Sequence, residues 1–478
     1  MPYYRKMPSE IRVRDGLRIE YGKCRIILHF SRFHPATDRR CLSDGISLPD
    51  VCIFLHSPSE NQYNPCRLNR LKEDGMNQLK LAVSGAQILF VAFGAMVLVP
   101  LLTGLNPALA LLGAGLGTLL FQITTKRKVP IFLGSSFAFI APIIYSVGEW
   151  GLPSTMFGLF AAGFMYFVFA ALIRWRGLAA VHKLLPPVVT GPVIMVIGLS
   201  VAVAASSMAM GQADGKQVID YTDSLILSGF TFAVTAIVSV FGSRMMKLIP
   251  ILIGVASGYV LALLMGLVDT TSIAHAPWFA VPHFETPQVN WQAALFMLPV
   301  AVAPAIEHIG GIMAIGNVTG KDYTKDPGLD KTLAGDGLGV CVAGLIGGPP
   351  VTTYGEVTGA VMITKNSNPV IMTWAAVFAV CMAFFGKFNA FLASIPMPVM
   401  GGIMLLLFGT IASLGIKTLI DAKVDLMLPK NLVIVSSVLT TGIGGMTLKL
   451  GSFSFVGVGL CAVLAIVLNS LLPDPKES

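Results

Sequence analysis

LGSSFAFIAP (133–142) and PPVTTYGEVTGAVM (349–362) break two apolar stretches that otherwise run to the length of a membrane span. Each places small and polar residues where a bilayer offers no water, then resumes as an apolar helix. Backbone freed from regular helix at bilayer depth persists only where it is buried in protein or lines a cavity. The two breaks hold matching places, third in each half of the chain. Paired interruptions in corresponding halves point to the binding site of a carrier. The first stretches of the two halves also correspond: one carries Gln87 in SGAQILF, the other Glu307 in AIEHIGG (305–311).

Composition sets the frame around these breaks. The 478 residues are 54% hydrophobic and only 12% charged, against about 25% charged in soluble domains. Mean hydropathy is +0.75, and 49 Gly and 29 Pro suit membrane helices, which tolerate both. The fold class is therefore an all-α polytopic membrane protein. From Leu81 onward about fourteen apolar stretches of roughly span length alternate with short polar joints. Seven lie near 81–103, 106–124, 129–148, 154–173, 184–208, 223–242 and 248–267. Seven more lie near 292–316, 332–348, 351–364, 368–390, 394–416, 429–445 and 451–472. An odd number per half makes the halves enter the membrane in opposite orientations, as two inverted seven-span repeats.

Basic residues orient the chain, because cytoplasmic loops collect Lys and Arg. With the amino terminus inside, the cytoplasmic joints carry Lys126, Arg127, Lys128, Arg174, Arg176, Lys183, Arg244, Lys247, Lys321, Lys325, Lys331, Lys365, Lys417, Lys423 and Lys430. The opposite joints carry only Lys216, Lys387 and Lys449. This asymmetry supports an even span count with both termini cytoplasmic, in a plasma (inner) membrane. It also explains the basic charge without nucleic acid. Residues 1–75 do not share the pattern. They are rich in charge and hold Cys24, Cys41, Cys52 and Cys66 at spacings that match no zinc motif. They read as a disordered basic leader or as a non-native extension ahead of a start at Met76, with the transporter domain over 76–475. Cys341, Cys381 and Cys461 lie in apolar runs and read as small packing residues. No metal site or cofactor is expected.

Glu307 and Glu356 are the candidate site residues. A carboxylate at bilayer depth is costly and marks a substrate, ion or proton site; the bland alternative is an internal hydrogen bond that locks helices. Phe137 follows GSS in the first break and offers an aromatic face to a flat ring, or else packs in the core or against lipid. In the second break Gly355 lets a backbone N–H approach a ligand closely, beside Tyr354. His308 follows Glu307 but points roughly 100° away on a helix, as suited to a neighbouring helix as to a ligand. Two carboxylates, an aromatic face and free backbone donors suit a small planar molecule with adjacent N–H and C=O groups. GKDYTKDPGLDK (320–331) reads as a solvated joint, and Lys365 as a membrane-edge anchor.

At these residues the chain resembles the nucleobase–ascorbate transporter (nucleobase:cation symporter-2) family, and within it the bacterial uracil and xanthine permeases. The likeness runs over roughly 80–475. It rests on FGAMVLVP (93–100), LGSSFAFIAP (133–142), KLLPPVVTGPVIMVIGL (183–199), AIEHIGG (305–311), KDPGL (325–329), TTYGEVTGAVMITK (352–365) and IPMPVMGGIMLLLFG (395–409). The resemblance implies fourteen spans, with core segments over 81–174 and 292–390 and gate segments over 184–267 and 394–472. It implies short antiparallel strands in spans 3 and 10, a homodimer, and core sliding against gate in proton-coupled import. It places Glu307, Glu356, Gly355 and Phe137 at the substrate, with Tyr354 beside them and proton coupling through Glu307 and His308. The sequence departs from the family pattern at Ile88, Gly311 and Val357, each replacing a common polar residue. The YGE motif is more like the uracil branch.

Other classes fit less well. A purine carrier (xanthine or uric acid) of the same family is the nearest alternative. An anion transporter shares the inverted plan, but two acids at its centre oppose an anion. An enzyme is not expected, since no HExxH, G-x-S-x-G or clustered cysteines occur, and no G-x-x-x-x-G-K-[ST] loop for ATP is present.

Overall fold

A computed structural model describes residues 17–21, 24–28, 65–177, 183–213, 215–450 and 453–473. Two compact units divide the chain, Met1–Leu79 and Lys80–Ser478. In the first, β1 (Leu17–Tyr21) and β2 (Cys24–Leu28) form an antiparallel hairpin. Most of the expected leader lies outside the described residues.

The remainder is mostly helical. The described helices, in chain order, are α1 (Pro65–Thr103), α2 (Pro107–Thr124), α3 (Ile140–Arg176), α4 (Pro187–Ser200), α5 (Ala202–Ala209), α6 (Tyr221–Phe241), α7 (Pro250–Leu264) and α8 (Thr271–His275). They continue with α9 (Trp291–Val300), α10 (Val302–Thr319), α11 (Leu329–Leu345), α12 (Gly355–Thr364), α13 (Val370–Ala383) and α14 (Gly386–Ala393), then α15 (Met397–Asp421), α16 (Pro429–Ile443) and α17 (Gly457–Leu471). Among the described residues, seven helical segments are long and apolar enough to cross a membrane, and α7, α13 and α17 are shorter apolar helices.

Local chemistry sets the helix ends. Asn106 accepts a hydrogen bond from the Ala108 N–H, and Asn290 does the same for Gln292 and Ala293. Each satisfies donors that a helix start leaves open. A straight helix of 37 residues would run roughly 55 Å, nearly twice a bilayer's hydrocarbon core of roughly 30 Å. Gly151 breaks α3 with φ +79°, a conformation that side chains oppose, two residues before Pro153. That is the joint expected between 148 and 154.

Glycine faces let the helices close on one another, as membrane helix packing favours. A methyl on Gly163 would stand 2.4 Å from the Cys341 sulfur, and one on Gly337 2.8 Å from the Tyr166 side chain, so α3 and α11 meet almost backbone to backbone. α11 also packs on α2, α9 on α3, and α13 on α2. A second set of contacts joins α15 to α4, α5 and α6, α6 to α7, and α16 and α17 to α4.

Candidate functional site

The two sequence breaks meet. β3 (Leu133–Ser135) pairs antiparallel with β6 (Val351–Thr353), in the register Leu133↔Thr353, Gly134↔Thr352 and Ser135↔Val351; between them in chain order, β4 (Gln212–Ala213) and β5 (Lys216–Gln217) pair with each other. All six residues of the β3–β6 pair are buried. Two further backbone hydrogen bonds flank the pair: Ser136 N–H to Pro350 O at 2.8 Å and Tyr354 N–H to Phe132 O at 3.3 Å.

Such irregular backbone needs partners away from water. α2 supplies them. The Leu133 N–H donates to Thr118 Oγ1 at 2.9 Å, and Gln122 Nε2 donates to Val129 O at 3.0 Å and Ile131 O at 3.1 Å. Ser135 Oγ donates to Met96 O on α1 at 2.9 Å.

Each strand leads directly into a helix. After β3 a single 3₁₀ turn, Phe137–Phe139, opens α3; after β6, Gly355 opens α12. Phe137 thus lies in a helical turn just beyond the strand. Glu356 lies in the first turn of α12, where the helix dipole favours a negative charge. Gly355 is exposed, and a methyl built on it would touch nothing within 4 Å. A methyl on Gly310 or Gly359 would likewise touch nothing within 4 Å.

Glu307 reaches this opening from α10. It is solvent-accessible although it sits mid-helix, and Glu356 is half-buried. Their carboxyls are close enough to interact electrostatically, and Glu307 also feels Asp336. Phe137 borders the opening at 9% exposure. Its ring stacks on Tyr354, with centroids 6.4 Å apart and planes 10° from parallel, and meets Phe408 of α15 edge-on at 6.0 Å. Glu307, Glu356, Gly355 and Phe137 are thereby brought together.

Tyr354 and His308 are placed differently. Tyr354 is buried at 3% exposure, and its hydroxyl donates to Ser135 O at 2.8 Å. Gly134 makes room for its ring, since a methyl there would stand 2.5 Å from the Tyr354 ring. Tyr354 is the floor beneath Phe137, and its hydroxyl is committed to the strand. His308 is fully buried and points away from the opening, as its 100° offset from Glu307 requires. Its Nδ1 lies 3.1 Å from Asp336 Oδ2, off the line of a good hydrogen bond, and its ring meets Phe121 edge-on.

Asp336 of α11 escaped the sequence reading. It is fully buried, and Thr352 Oγ1 donates to it at 3.4 Å. Tyr166 lies within its electrostatic reach. The available signal was an acid inside LAGDGLGV (333–340). Gln122 and Thr118, which satisfy the first break, were missed as well.

Two cavities of about 340 and 530 Å³ lie elsewhere. Ser206, Ala209 and Phe232 help to line the first, and Ser394, Ser272 and Asp269 the second. Hydrogen bonds from Thr271 and Ser272 hold the Asp269 carboxyl below its ordinary value, as in a local cap. Neither cavity is lined by Glu307, Glu356, Gly355 or Phe137, so the chemistry points to the opening between Glu307 and Glu356. No cluster of metal-ligating side chains occurs among the described residues. In the 320–331 joint, Asp322 is likewise held below its ordinary value by the Thr324 hydroxyl and Lys325, and Lys128 pairs with Asp326.

The xanthine/uracil permease model, described as "Permease family", matches residues 79–451. The chain belongs to this family. Its members are permeases rather than enzymes. A Pasteurella multocida protein named "Probable uracil permease" is 54% identical over 402 residues, covering 84% of this chain and 96% of that protein. The "Uracil permease" of Bacillus caldolyticus is 46% identical over 400 residues, 82% and 92% of the two chains. That of Escherichia coli K12 is 39% identical over 383 residues, 80% and 89%. Among solved structures, the transmembrane domain of the cyanobacterial bicarbonate transporter BicA superposes with TM-score 0.56 at 14% identity, over 82% of this chain and 96% of that one. Murine Slc26a9, an anion transporter, gives 0.60 at 11% identity, over 82% and 68%. At these identities the likeness shows the fold alone.

Proposed function

We propose that this permease imports a nucleobase, uracil first among them, together with protons. One observation carries the reading. Two acidic side chains from different helices of the second half, Glu307 and Glu356, converge on the exposed backbone of Gly355 beside the Phe137 ring of the first half. Glu307 accepts a ring N–H, Glu356 serves the other N–H side, Gly355 presents a backbone donor, and Phe137 covers the ring face. Glu307 also exchanges the coupled proton, with His308 and Asp336 behind it. The uracil permeases among its relatives support the choice of substrate. The antiparallel meeting of β3 and β6 supports two inverted halves of seven spans each. The two sets of packed helices support a core that moves against a gate, and the Phe137–Phe408 contact joins the two sets. The protein works in the plasma membrane as a homodimer with both termini in the cytoplasm.

Uptake of radiolabelled uracil into cells lacking their own pyrimidine carriers tests this, with and without a protonophore and against unlabelled xanthine, thymine and ascorbate. Saturable, protonophore-sensitive uptake competed best by pyrimidines is expected, and Glu307→Gln abolishes it. Uptake indifferent to the protonophore removes the proton from the mechanism. Best competition by xanthine moves the substrate to the purines. Absent binding, together with a Glu307→Gln variant indistinguishable from wild type, refutes the whole reading.

A further inference from the structure

We infer that Thr353 is a specificity-determining residue: its hydroxyl hydrogen-bonds the carbonyl next to the N–H that Glu307 accepts, through the space left open at Gly311. The inference rests on the nucleobase reading above and adds a donor to it.

Thr353 ends β6 and is 2% exposed. Side chains alternate along a strand, so its neighbours turn elsewhere. Thr352 bonds Asp336, and Tyr354 bonds Ser135. Thr353 Oγ1 has no hydrogen-bond partner among the described residues. A buried hydroxyl without a partner is costly, and native structures seldom leave one so. Its direction is fixed by what stands before it: a methyl built on Gly311 would lie 2.8 Å from Oγ1. Gly311 is partly exposed and follows Glu307 by four residues on α10, so the two share a helix face. The next residue back, Gly310, faces open space.

The chemistry follows from this placement. A carboxylate accepts, and a threonine hydroxyl donates as readily as it accepts. Glu307 and Thr353 on one side of the opening therefore form an acceptor–donor pair. That pair matches an N–H beside a C=O, the edge of an imide-bearing ring. Any side chain at 311 would press on the hydroxyl or cover it. Glycine leaves it free.

The test uses the full chain in cells lacking pyrimidine carriers. Radiolabelled uracil uptake is competed by 2-thiouracil and 4-thiouracil, in which a carbonyl oxygen becomes a weaker acceptor. Thr353→Val keeps the shape and removes the hydroxyl; Thr353→Ser keeps the hydroxyl. The valine variant is expected to raise KM about tenfold, with maximal uptake per carrier in the membrane held within about twofold. It is also expected to lose the wild-type preference for uracil over one thio analogue, while the serine variant keeps it. A merely structural role would lower the amount of carrier and leave the analogue ranking unchanged. Wild-type KM and ranking in Thr353→Val overturn the inference while leaving the nucleobase reading intact. If the valine variant does not reach the membrane, Gly311→Ala probes the same contact from the other side, and an unchanged ranking there overturns it. Absence of saturable uracil uptake by the wild type refutes the nucleobase reading and this inference with it.

Discussion

Two single-methyl changes, at Gly134 and Gly355, separate what the site needs to fold from what it needs to work. Alanine at Gly134 places Cβ 2.5, 2.6 and 2.9 Å from three atoms of the Tyr354 ring. Ordinary carbon contacts lie at roughly 3.5–4.0 Å, so the ring must retreat by about 1 Å. It has little freedom to do so. Its hydroxyl is bonded to Ser135 O, and Phe137 is stacked on its face. Overpacking of this kind costs about 1–3 kcal/mol. Loss of the Tyr354–Ser135 bond adds about 1 kcal/mol. The sum, roughly 2–4 kcal/mol, shifts the folded-to-unfolded ratio by more than tenfold. At Gly355 the same methyl touches nothing within 4 Å. Its φ is unexceptional, since it is absent from the positive-φ glycines, and alanine is the better helix former by about 1 kcal/mol. That variant keeps its stability and loses transport, because the methyl stands in the opening. Thermal unfolding of detergent-solubilised protein, followed by size-exclusion chromatography, reads the first effect, and uracil uptake per carrier reads the second. Gly134→Ala unfolding at the wild-type temperature, or Gly355→Ala transporting like wild type, would show that the geometry around β3 and β6 has been misread.

Tyr354→Phe removes one hydrogen bond and leaves the ring in place; a stability loss of about 1 kcal/mol with uptake retained is expected, and lost uptake would put Tyr354 at the substrate. Gln122→Leu strips Val129 O and Ile131 O of their donor. The expected cost is about 1–3 kcal/mol, seen as a lower unfolding temperature, and an unchanged temperature would show that other groups satisfy these carbonyls. Asp336→Asn keeps the shape but removes the charge facing His308. It is expected to lower thermal stability and to abolish protonophore-sensitive uptake, and wild-type behaviour in both assays would exclude Asp336 from the proton path.

What the sequence made legible follows from how expensive each residue is at depth. Glu307 and Glu356 stand out because an acid in an apolar run must have a reason, and Gly355 because it precedes one of them. The joint between 148 and 154 was visible as Gly151 and Pro153, and helix α3 breaks there. Asp336 was equally expensive but less visible, because its glycine-rich surroundings in the middle of α11 resemble a joint. Its partner lies 28 residues away, at His308, and only helix packing reveals that the two face each other. The direction of Tyr354 was not legible either. Strand alternation decides it, and one residue of register in the β3–β6 pair would turn its ring to the opposite face. Gln122 and Thr118 act on the backbone of a later segment, and no periodicity records such a bond.

The pairing of β3 with β6 also bears on how the protein is made. Leu133 and Thr353 are partners, yet 220 residues separate them. At synthesis rates of about 5–20 residues per second, the first strand waits roughly ten to forty seconds for its mate. In the folded protein its N-terminal backbone bonds to Thr118 and Gln122, both already made by then and both on the helix just before it. The first break thus has its partners within reach before the second half of the protein is made, whereas the strand pair itself must wait for it.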